Sequence, residues 1–241
     1  MNGDFSADRQ SPFKGLADRV LSRPWHTASN LIQRLATRDI TKKELEEEAE
    51  GNPALVPKIV EGLASPKAAV RNGCARVLMN LSGRHPEWLY SHWEAFAGAL
   101  DSGHRILSWG AIATIANLSA VDSESRFEAI FDRYYALIGD GYMVTVANVV
   151  GNSAKVARAK PRLADRIAEK LLGVEKIATG PHMTDECRRV VAEKAVEALG
   201  SFYHLLGPDM KKRVSAFVKK QLKSSRVSLA ETAKEFLVRN G

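Results

Sequence analysis

The chain has 241 residues, 45% hydrophobic and 26% charged, with 17 Gly and 9 Pro. That balance fits a folded chain with a sizeable core and excludes a low-complexity one. The net charge of +7 raises nucleic acid as a partner class, but where the charges lie matters more than their total.

Residues 1–25 are polar, with Pro12 and Pro24 and little apolar periodicity, and are expected to form a mobile tail. Phe13 or Trp25 could seed a short linear motif there, or the segment could pack as a cap. The opening MNGDFSADRQSPFKGL has no apolar core of the kind a signal peptide needs, so a cytoplasmic chain is expected. Charge interrupts every apolar stretch before ~18 residues, so no membrane partner is expected.

Residues 26–241 read as a single helical domain. Thr41 and Glu44 form a capping box that starts a short helix, TKKELEEEAE. Breakers then recur at Ser65-Pro66, Pro86, Asp101-Ser102-Gly103, Gly139-Asp140-Gly141, Pro161, Gly180-Pro181, Pro208 and Ser224-Ser225. Each intervening block is long enough for one helix, and no run alternates as a strand would.

The blocks repeat. Val70 to Ser82 matches Leu107 to Ser119 at an offset of 37 residues, and a further 35 leads to Tyr142–Ser153. Fourth and fifth copies run Val191–Phe202 and Leu229–Asn240, the fourth delayed by a loop expected over Val174–Thr184. Within the first copy, Val70, Gly73, Cys74, Val77, Leu78 and Leu81 share one helix face. Leu107, Gly110, Ala111, Thr114, Ile115 and Leu118 repeat that face, as do Tyr142, Thr145, Val146, Val149, Val150 and Ser153. No single hairpin can bury such a stripe, so the hairpins are expected to stack. Cys74 and Cys187 match no metal or redox spacing and are expected as buried thiols.

The strings CARVLMNLSG and AIATIANLSA resemble the last helix of an armadillo repeat. The turn at Ser65-Pro66-Lys67, between ALVPKIVEGLA and AAVRNGCARVL, resembles a HEAT repeat. The resemblance covers roughly residues 53–241. It implies an all-α, right-handed α-α superhelix, a HEAT/armadillo-like solenoid of about five helix pairs with an N-terminal capping hairpin. In such solenoids the second helices line the concave face, and most members are interaction scaffolds.

On that basis the candidate partner-binding residues form columns beside the core stripe. They are Asn72, Arg76 and Asn80; Trp109, Ala113 and Asn117; Val144, Asn148 and Asn152; Glu193, Glu197 and Ser201; and Glu231, Glu235 and Arg239. Asn80, Asn117 and Asn152 form a ladder whose amides suit the backbone of an extended peptide. Importin-type armadillo proteins carry a Trp four positions before such asparagines, where this chain has Arg76, Ala113 and Asn148. That departure weakens any expectation of binding a nuclear-import signal, and the asparagines could instead cap backbone groups. The second helices of the first three repeats carry no Asp or Glu, whereas Glu193, Glu197, Glu231 and Glu235 fall on the later ones. Lys211, Lys212, Arg213, Lys219, Lys220 and Lys223 belong mostly to the last first helix, expected on the outer side.

No catalytic set emerges. Some HEAT-like proteins are DNA glycosylases, but Trp109 has no acid on its helix. His92 and Trp93 read as structural, no histidine pair has metal-ligand spacing, and Gly151–Lys155 lacks the spacing of a phosphate loop. The reading is a non-enzymatic scaffold for a protein or extended peptide, without cofactor or metal. A nucleic-acid-associated HEAT-like protein is the less favoured alternative, and the residues set no oligomeric state.

Overall fold

A computed structural model describes residues 30–240, so the expected tail at 1–25 lies outside the described residues. The secondary structure described is helical, apart from an isolated bridge between Gly180 and Met183. The chain divides into two compact units, with the division in the sequence between Leu81 and Ser82.

The first unit contains α1 (Asn30–Thr37), α2 (Lys42–Gly51), α3 (Val56–Glu61) and most of α4 (Ala68–Arg84). Arg38, at φ 65°, ends α1 in the left-handed region, and the N–H groups of Asp39 and Ile40 close back onto the Arg34 carbonyl. The capping box at α2 forms as its residues require: Glu44 N–H donates to Thr41 Oγ1 at 3.2 Å, and Thr41 N–H to Glu44 Oε2 at 2.7 Å. Val70, Gly73, Cys74, Val77, Leu78 and Leu81 are all buried, as the stripe requires.

Cys74 is fully enclosed, and burial pushes its thiol up to about 12. It lies against Gly62, where a Cβ would overlap the sulfur. Gly62→Ala is therefore expected to destabilise the protein by ~1–3 kcal/mol through overpacking. Cys74→Ala in the same chain is expected to recover most of that loss in a urea titration. Equal losses with and without Cys74 would refute the contact.

The second unit continues the hairpins. Its helices are α5 (Pro86–Leu89), α6 (Trp93–Ala99), α7 (Arg105–Leu118), α8 (Arg126–Ala136), α9 (Met143–Ala159), α10 (Ala164–Leu172), α11 (Asp185–Phe202), α12 (Pro208–Gln221) and α13 (Val227–Asn240). Proline opens several first helices: Pro86 and Pro208 stand in the first turn of α5 and α12, and Pro161 begins the 3-10 turn leading into α10. The breakers read from the sequence are thus also helix starts. The first helix of the second repeat is interrupted, with a 3-10 turn at Tyr90–His92 before the buried Trp93.

The second helices stack as one layer, α7 on α9, α9 on α11 and α11 on α13, while the first helices α10 and α12 pack in another. In that first-helix layer a cation on the later helix meets a carboxylate on the earlier one. Lys170 reaches Asp132 at 3.0 Å, Arg213 reaches Glu169 at 2.8 Å and Lys220 reaches Glu175 at 3.3 Å; Arg162 also pairs with Glu128. Such exposed pairs contribute ~0–1 kcal/mol each, so they fix register more than stability. Two of the basic residues on α12, Arg213 and Lys220, are thereby matched, by Glu169 on α10 and by Glu175 in the 3-10 turn that follows it.

A buried polar cluster gathers around Asp122. Lys160 Nζ contacts the Asp122 carboxylate at 3.0 Å and donates to its backbone carbonyl at 2.6 Å. Tyr90 O–H donates to Asp122 at 2.7 Å, and the N–H groups of Arg126 and Phe127 donate to the same carboxylate at 2.9 and 3.0 Å. Asp122 thus satisfies the first turn of α8. Phe127, Phe131, Tyr134 and Tyr135 fill the core along that helix.

The loop expected over Val174–Thr184 is present but anchored. Met183 is buried, the His182 carbonyl accepts from Met143 N–H at 3.1 Å, and the His182 ring stacks on Tyr142 at 4.1 Å. Cys187 departs from expectation: it is half-buried in the first turn of α11, where Thr184 O–H contacts its sulfur at 3.2 Å. Tyr142, assigned to the core stripe, is also half-buried because it caps the start of α9.

Candidate functional site

In the second unit, α7, α9, α11 and α13 bring the later columns onto neighbouring helices. Trp109 is half-buried and its indole N–H donates to Thr145 Oγ1 at 3.0 Å, joining α7 to α9. Ala113, expected on the open face, is buried at 8% exposure because neighbouring helices cover α7 almost all round.

The asparagines carry internal hydrogen bonds. Asn117 donates from Nδ2 to Ser82 Oγ at 2.9 Å and accepts from Lys155 Nζ at 2.8 Å. Asn148 and Asn152 each donate to the carbonyl one turn earlier, Val144 at 2.8 Å and Asn148 at 2.9 Å. A primary amide has two N–H donors and a carbonyl with two lone pairs, so none of these residues is saturated by its internal bond.

Further along, Glu193 is not an open carboxylate. It accepts from Arg226 Nε at 2.5 Å and Ser228 Oγ at 2.9 Å, which ties α11 to the start of α13. Glu186 joins the same arginine at 2.6 Å, and its carboxyl is held below the usual range by hydrogen bonds from Arg189 and Arg226. Glu197 is exposed and pairs with Lys194 at 3.2 Å, while Glu231, Glu235 and Arg239 are exposed on α13.

The first unit holds the remaining column. Asn72 is half-buried, Arg76 exposed, and Asn80 donates to Glu46 Oε2 at 2.7 Å. Glu46 lies on α2, so an acid outside the second helices stands beside this asparagine.

Lys155 takes the next place along the face after Asn152, one helical turn beyond the third residue of its column. Ile106 and Val144 are 50% and 42% exposed near the starts of α7 and α9, which gives the face an apolar edge. Among the described residues no three His, Cys, Asp or Glu side chains are grouped to hold a metal, and no helix is long and apolar enough to cross a membrane.

Two layers of helix hairpins with stacked second helices decide the comparison with solved structures. The fold is an armadillo-like α-solenoid. The chain is similar to a designed armadillo repeat protein, YIII(Dq)4CqI, at TM-score 0.62 and 16% identity, over 92% of this chain and 98% of that one. It is also similar to designed armadillo repeat protein YIII(Dq.V1)4CPAF in complex with peptide (KR)4, at TM-score 0.55 and 15% identity, over 88% and 91% of the two chains. No protein-family model and no curated protein matches the chain.

Proposed function

We propose that this armadillo-like chain is a non-catalytic scaffold that binds extended peptide segments of a partner protein, with cytoplasmic residence part of the same reading. The observation that carries it is the row of partly satisfied amides on the stacked second helices, Asn117, Asn148 and Asn152, beside the half-buried Trp109. Such amides can donate to and accept from a peptide backbone without regard to its sequence. A designed protein of the same fold in complex with a peptide supports the reading. Glu197 extends the face on α11, and Glu193 acts there by holding Arg226 rather than by direct contact. Asn72, Arg76 and Asn80 serve the first unit in the same way.

The test substitutes Asn80, Asn117 and Asn152 together by alanine and measures binding of an array of extended octapeptides. Folding, followed by circular dichroism, is expected to persist while affinity falls about tenfold or more, from the loss of several hydrogen bonds of ~1 kcal/mol each. Unchanged binding by the folded triple variant would sink the assignment. Nucleic acid is disfavoured as the partner because the second-helix layer lacks the continuous Lys/Arg stripe that phosphates require.

A further inference from the structure

We propose that Lys155 and Arg158 on α9, with Asn117 on α7, form a carboxylate subsite, so that the peptide bound by the second unit carries an acidic side chain. The proposal rests on the peptide-binding reading above and adds the charge of the ligand.

The helices α7 and α9 contain no Asp or Glu, and their cations are Arg105, Lys155 and Arg158. Arg105 is matched by Asp140 at 3.0 Å and lies over the Tyr142 ring. Among the described residues Lys155 and Arg158 have no carboxylate within ion-pair distance, in contrast to the paired cations of the first-helix layer. The end of α9 favours a cation through the helix dipole, but that amounts to about half a charge for two full ones.

Lys155 is also positioned. Its Nζ is fixed on Asn117 Oδ1 at 2.8 Å, and Asn117 is fixed in turn by Ser82 at 2.9 Å. One ammonium hydrogen is used and two remain to donate, beside the guanidinium one turn along. Partial burial and the charge of Arg158 both hold the Lys155 pKa below the ordinary lysine value, and no carboxylate offsets them. An incoming carboxylate would remove that repulsion and accept charge-assisted hydrogen bonds.

The surroundings favour a peptide over a phosphate backbone. Ile106 and Val144 expose aliphatic surface near the opposite ends of the same two helices. On the neighbouring α11 and α13 the exposed Glu197, Glu231 and Glu235 alternate with Lys194, Lys234 and Arg239, so no continuous cationic stripe runs on for a phosphate backbone. The favoured ligand is thus an extended peptide with a carboxylate at one position and an aliphatic side chain at another. Its charge is opposite to that of the (KR)4 peptide bound by the designed relative.

The test uses fluorescence anisotropy of the full chain with three labelled octapeptides: alternating Glu and Val, alternating Gln and Val, and (KR)4. The Glu/Val peptide is expected to bind about tenfold more tightly than Gln/Val at physiological salt. The double variant Lys155→Gln, Arg158→Gln should erase that preference, so that Glu/Val and Gln/Val bind alike. The charge-reversed pair Lys155→Glu, Arg158→Glu should disfavour Glu/Val relative to Gln/Val, a reversal that misfolding would not produce. Equal binding of Glu/Val and Gln/Val by the unmodified chain would overturn the subsite while leaving the peptide-binding face intact, as would preference for (KR)4. Failure of all three peptides would overturn both readings. Binding of a thymidine oligonucleotide alone, abolished by the double variant, would reassign the cations to phosphate.

Discussion

Lys160→Met is expected to lower the stability of the protein by ~3–5 kcal/mol, the cost of breaking a buried ion pair from one side. The Lys160 side chain is 9% exposed and that of Asp122 is 0%, so methionine would leave the carboxylate enclosed without its counter-charge. Glu128 makes the cost higher, because its Oε2 is buried without a hydrogen bond and lies 3.7 Å from the same ammonium.

The loss should depend on pH. Burial pushes the Asp122 pKa up, but the Phe127 N–H, Tyr90 O–H, Lys160 and Arg126 N–H together outweigh it, so the pKa is lowered overall. An unfolded aspartate titrates near ~3.9. A folded value below that makes Asp122 stabilising above about pH 5, and the contribution is lost as pH falls from ~4 through the folded pKa. In Lys160→Met the lysine contribution disappears and the burial cost remains, so the folded Asp122 pKa rises and the variant loses less on acidification. Its deficit relative to the unmodified chain should narrow as pH falls to ~4 and below. Urea midpoints at neutral pH and near pH 4 measure both effects. A loss under ~0.5 kcal/mol, the size expected of a surface substitution, would show that the cluster does not hold the unit together.

Phe127→Ala should cost a similar ~3–5 kcal/mol. The ring is fully buried and meets Phe131 at 6.2 Å and Tyr134 at 5.3 Å, both edge-on. The backbone N–H of the same residue bonds to Asp122, so the aromatic core and the polar cluster share a hinge point at the start of α8. A fall of ~10 °C in Tm is expected for a chain of this size. Combined with Lys160→Met, the loss should be non-additive, because both changes act on the position of Asp122. A loss below ~1.5 kcal/mol would mean that the site collapses around the missing ring.

Much of the fold was legible because it is written in local and periodic signals. The Thr41–Glu44 box lies within one helical turn, and the stripes from Val70 and Leu107 identify buried faces without knowledge of their partners. The helix starts at Pro86 and Pro208 follow from a missing N–H that the first turn does not need. The candidate site was less legible. Glu193 reads as an open acid until Arg226 and Ser228 are seen on it, and Ala113 reads as surface until its neighbours cover it. Neither is a property of the helix that carries it.

The sequence by itself determined that this chain is a stack of helix hairpins, since apolar stripes recurring at 35–38 residues can be buried only by neighbouring copies. Only the tertiary structure decided how the polar side chains are spent. Asn117 with Ser82, Lys155 with Asn117, Trp109 with Thr145 and Lys160 with Asp122 lie 35, 38, 36 and 38 residues apart. The repeat period names the neighbouring helix, but a hydrogen bond also needs donor and acceptor within about 3 Å and suitably aimed. Rotamer and packing set that condition residue by residue, which is why Lys160 became a buried structural ion while Lys155, five positions earlier on the same stretch, kept its charge at the surface.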